Sequence, residues 1–77
     1  MLKVGDVIYD EDEQICIITQ VFLKTFMVIY YNSAIREMPI GNYKQVNLAH
    51  KYVFLSKLRK HGYCWNNETM QVESVIK

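Results

Sequence analysis

His61 and Cys64 stand three residues apart, close enough on a helical turn for an imidazole to activate a thiol. Nucleophilic catalysis also needs an oxyanion loop and an orienting carboxylate, and no Gly-rich stretch or suitably placed acid accompanies the pair. His50, His61, Cys64 and Cys16 are four zinc-type ligands, but His-x10-His-x2-Cys with a distant second Cys matches no common zinc knuckle. Asp10, Glu11, Asp12 and Glu13 are acidic enough to attract a cation, yet lack the alternating ligands, central Gly and terminal Glu of an EF-hand loop. Four adjacent carboxylates repel one another and avoid a core, so they predict a solvated loop. Its functional reading is a docking surface for a basic partner. No catalytic residue, metal or cofactor is therefore expected, and the chain reads as a non-enzyme.

A stronger signal lies in how charge is distributed. Residues 1–13 hold five acids (Asp6, Asp10, Glu11, Asp12, Glu13) against Lys3, whereas residues 44–61 hold five bases (Lys44, Lys51, Lys57, Arg59, Lys60) and no acid. Tyr43, Tyr52, Tyr63 and Trp65 lie in or beside the basic stretch. Cations hold phosphates and exposed aromatics stack on unpaired bases, so this mixture suits RNA or DNA. Tyrosine and tryptophan are also hot-spot residues of protein interfaces. Lys57, Arg59, Lys60, His61, Tyr63 and Trp65 are accordingly the candidate partner-binding residues. The bland alternative is a helix with a solvated basic face and core aromatics.

Those residues must be positioned by a small scaffold. A chain of 77 residues forms one domain, residues 1–77. Hydrophobic residues at 51%, charged residues at 22%, three Gly and one Pro exclude a disordered or collagen-like chain. A net charge of +1 excludes a nucleic-acid clamp acting through bulk charge. The start lacks the basic and apolar regions of a signal peptide. No apolar cluster approaches the roughly 18 residues that span a bilayer, so no membrane association is expected. Two cysteines are too few for a disulfide-built secreted domain and suit free thiols in a cytoplasm. Lys, Asn, Ile and Tyr, whose codons are AT-rich, make up 26 of the residues. That composition is compatible with a phage or mobile-element product and equally with a small bacterial protein.

Val4, Val7, Ile8 and Tyr9 form a short β-prone run after Gly5-Asp6. Residues 14–23 alternate apolar residues on both faces, with Ile15, Ile17 and Val21 on one side and Cys16, Ile18 and Phe22 on the other. Lys24-Thr25 reverses the chain, and residues 26–31 repeat the two-faced pattern, predicting a long hairpin. Ala34 to Ile40 reads as a weaker strand with Pro39 on an edge. Asn47 can cap a helix over about 47–61, with Leu48, Tyr52, Leu55 and Leu58 as its apolar stripe and Gly62 as its stop. Tyr52 to Leu55 would also suit a strand. Residues 69–76 alternate as a closing C-terminal strand, with Met70, Val72 and Ile76 inward.

The order of a short strand from Val4-Gly5-Asp6-Val7-Ile8-Tyr9, an acidic loop and a hairpin around Lys24 resembles the small SH3-like barrels, including KOW- and Tudor-type modules. The likeness spans roughly residues 3–56, and the chain continues beyond it. It implies a small antiparallel, partly closed β-barrel; with the one helix and the C-terminal strand read from the residues above, the expected fold class is α+β. Fold type alone does not define function. The expected function is a small interaction module that binds and modulates another protein, of the kind a phage-type inhibitor or accessory factor represents. The alternative is a nucleic-acid-binding module using residues 44–65. Open edge strands also allow a homo-oligomer.

Overall fold

The computed structural model describes residues 2–75. Its elements are β1 (Val7–Tyr9), β2 (Ile15–Val21), β3 (Thr25–Tyr30), β4 (Ile35–Pro39), α1 (Leu48–Lys60), β5 (Tyr63–Asn66) and β6 (Gln71–Ser74). The fold is α+β. Strands β1 to β4 form an antiparallel meander in chain order, and β5 and β6 form a separate hairpin. Val7 pairs with Ile17, Cys16 with Tyr30 and Val28 with Arg36.

Apolar residues on both faces of β2 and β3 demand cover on both faces. Ile8, Cys16, Ile18, Phe26, Val28 and Met38 form one buried cluster, flanked by Leu2, Tyr30 and Tyr43. Val7, Ile17, Ile29, Phe54 and Leu58 form the second, under α1 and the β5–β6 hairpin. Neighbouring residues of β2 thus feed opposite cores. The alternation breaks at a bulge between Ile18 and Gln20, where the Thr19 hydroxyl donates to Met27 O at 3.3 Å. Beyond it Val21 pairs with Phe26 and so joins the Cys16–Ile18 face, not the Ile15–Ile17 face that strict alternation predicts. Val21 and Phe22 are also exposed, not core.

The ladder does not close into the expected barrel. Pro39 has no N–H, and after Ile40 the chain leaves β4 and crosses the end of the first core. Tyr43 packs edge-on against Phe26 at 5.4 Å and donates its hydroxyl to Pro39 O at 2.9 Å. The chain then reaches the outer edge of β1. There the N–H of Tyr9 donates to Lys44 O at 3.0 Å and that of Val46 to Val7 O at 2.9 Å, about a single bridge between Ile8 and Gln45. Among the described residues β4 stays an open edge.

Residues 48–60 are a helix and not the alternative strand. The Asn47 side chain accepts the N–H of His50 at 2.9 Å, Lys57, Arg59 and Lys60 complement the last turn, and Gly62 takes φ 93° just beyond the His61 cap. The buried face is Phe54 and Leu58, with Leu55 half-buried. Leu48 and Tyr52, assigned inward by the sequence stripe, are 63% and 62% exposed. The sheet beneath is too small to cover more than about one row of the helix. β5 has no counterpart in the sequence reading. The closing strand is shorter than the 69–76 expected: β6 spans Gln71–Ser74, Met70 sits at φ 56° in the turn, and Ile76 lies outside the described residues. No helix among the described residues is long and apolar enough to cross a membrane.

Candidate functional site

The six candidate binding residues do not converge on one surface. Tyr63 and Trp65 are half-buried and pack against the second core. The Trp65 indole lies against Gly5, where a Cβ would come within 3.2 Å of Cζ2, and its Nε1–H donates to Asn67 Oδ1 at 2.7 Å. An indole held this way packs the core and leaves little face to stack on a base. Lys57 and Arg59 are roughly 200° apart around α1. Lys57 sits 5.6 Å over the Tyr31 ring, and His61 meets the same ring edge-on at 5.3 Å. Arg59 instead lines a concavity with Trp65 on the other side of the helix, while Lys60 is exposed. None of the ion pairs among the described residues uses a cation from residues 44–61.

His61 turns its Nδ1 to Lys57 O at 2.9 Å, and Cys64 lines the Arg59 concavity. Cys16 is fully buried, and burial pushes its thiol up to about 12, out of the range of a useful nucleophile. His50 Nδ1 lies 3.2 Å from Tyr9 Oη. The four zinc-type ligands are therefore dispersed.

The acidic loop splits in two. Glu11, Asp12 and Glu13 are exposed, as the charge run predicts, whereas Asp10 is buried. Its Oδ1 accepts the backbone N–H groups of Asp12 and Gln14, both at 2.8 Å, and its Oδ2 accepts the Tyr30 hydroxyl at 2.7 Å. Arg36 lies 3.7 Å from the same oxygen and also pairs with Glu11. Burial opposes ionisation of Asp10, but Tyr30, the two amides and Arg36 outweigh it and hold the carboxyl below its ordinary value. Burial and the Asp10 partner push the Tyr30 phenol up to about 12. Carboxylate oxygens of Asp10, Glu11 and Asp12 lie within 4.8 Å of one another, but the Arg36 guanidinium already supplies the neutralising cation. This is a structural clamp.

The surface that stands out is apolar and lies at the β2–β3 tip. Leu23 is 92% exposed, and Val21, Phe22 and Ile40 are each about half exposed. With Leu2 and Tyr43 they border a groove of about 840 Å³ that opens onto the first core. A signal for it exists in the sequence: Val21, Phe22 and Leu23 run straight into the Lys24-Thr25 reversal. No family model, curated protein or solved structure matches this chain.

Proposed function

We propose that this chain is a non-enzymatic interaction module that binds another protein by burying the β2–β3 tip and its groove. The observation carrying this reading is the contiguous apolar surface of Val21, Phe22, Leu23 and Ile40. Exposed apolar side chains gathered at one end of a small domain mark interaction sites more often than side chains scattered singly. A groove lined by Leu2, Phe26 and Tyr43 suits an apolar segment of the partner. The likeness to small SH3-like barrels remains part of the proposal, supported by a meander whose return chain reaches the outer edge of β1.

Nucleic-acid binding is the second reading, favoured by the acid-free run of cations over residues 44–61. Their spread around α1 supports it less than a single stripe would. The test is quantitative affinity capture with the tagged chain from nuclease-treated host extract. A protein retained by wild type should fall at least tenfold with Leu23→Asp, whose thermal midpoint stays unchanged, and persist with the Lys57→Ala/Arg59→Ala/Lys60→Ala triple variant. Retention by Leu23→Asp, loss only in the triple variant, or capture seen only from a parallel extract left without nuclease would overturn the apolar-tip reading.

A further inference from the structure

We propose that the concavity between α1 and β5 is a binding site for a small phosphate-bearing ligand, its phosphate held by Arg59 and Lys51. It lies apart from the β2–β3 tip and measures about 470 Å³, enough for a sugar phosphate or mononucleotide. Lys51 and Arg59 are separated by two helical turns, about 12 Å of rise, with Leu55 between them. Both side chains are long enough to converge on an anion seated above Leu55. Tyr52, Ser56 and Asn67 also line the space and add hydroxyl and amide donors.

Asn67 is oriented for this. Its Oδ1 already accepts the Trp65 indole N–H at 2.7 Å, which leaves its amide N–H groups as the unengaged end. Among the described residues no carboxylate lines the concavity. The nearest in register, Glu73 opposite Cys64, is turned to Asn66 Nδ2 at 3.1 Å and the Thr69 hydroxyl at 3.2 Å. A wall rich in donors, holding a planar guanidinium and a point-charge ammonium, matches a tetrahedral dianion with several acceptor oxygens. Leu55 and the Trp65 edge form an apolar floor for the remainder of the ligand.

The experiment titrates the full chain with inorganic phosphate, adenosine 5′-monophosphate and a single-stranded 12-mer, at low and physiological salt. Backbone amide shifts and Trp65 emission are the readouts. The expected result is saturable binding of the monophosphate, with shifts centred on Lys51, Ser56, Arg59, Cys64 and Asn67. Arg59→Gln and, independently, Lys51→Gln should each weaken it at least tenfold with unchanged thermal midpoints, while Leu23→Asp leaves it intact. Non-saturating shifts with every probe would overturn the proposal. Retained affinity in both variants would do the same. Tighter binding of the 12-mer, with shifts spreading to Lys44, Lys57 and Lys60, would replace it with a polyanion surface.

Discussion

Asp10 joins the β1–β2 loop to β3 and β4 through one carboxylate, so its ionisation is coupled to folding. Its carboxyl is held below the ordinary 3.8, so the unfolded chain takes up the proton first as pH falls. The stabilisation is therefore complete above about pH 5 and is lost as pH drops through 3.8 toward the lower folded value. Asp10→Asn removes the charge facing Arg36 and the acceptor facing Tyr30. It should lower stability by about 1–3 kcal/mol at pH 7. In urea titrations across pH the gap between variant and wild type should narrow as pH falls through 3.8; a pH-independent gap would refute the coupling. Nothing in the run Asp10 to Glu13 distinguishes its first member from the other three. Burial of that member depends on Tyr30 and Arg36, 20 and 26 residues away. Long-range pairing of that kind leaves no local pattern to read.

At the scale of elements, α1 is bounded by local chemistry. Asn47→Ala should cost about 1 kcal/mol through loss of the cap to the His50 amide. Gly62 is buried at φ 93°, so Gly62→Ala places a Cβ in the left-handed region at a cost of roughly 1–2 kcal/mol. Chemical denaturation measures both, and a neutral Gly62→Ala would show that the turn relaxes. These bounds are legible in the sequence because caps and stops act within a few residues. The buried face is not, because Leu48 is as apolar as Leu58 and Tyr52 carries an aromatic ring like that of Phe54, and only the outline of the sheet decides between them. β5 escapes notice for another reason. Tyr63 to Asn66 is four residues long and follows a helix stop without a strand period of its own. Val21 and Phe22, which continue the two-faced apolar pattern of β2, end up exposed for the same reason as Leu48: composition reports what a residue favours, not where the sheet ends.

For the molecule as a whole, β2 is common to both cores, so neither core can melt while the other persists. Leu58→Ala, fully buried in the second core, should cost about 2–5 kcal/mol. The unfolding curves by Trp65 fluorescence and far-ultraviolet circular dichroism should shift together. Separate midpoints would show α1 and the β5–β6 hairpin detaching from an intact sheet. The shared strand has a kinetic corollary. Sliding β2 by one residue against β3 exchanges Cys16 and Ile18 for Ile15 and Ile17, apolar for apolar. Collapse driven by hydrophobicity alone does not distinguish that slipped pairing from the native one. The distinction rests on two small polar devices, the Thr19 bulge and the Asp10 clamp, which engage only when the alignment is right. A newly made chain is thus proofread by its polar minority, and loss of either device would first appear as slow, heterogeneous refolding.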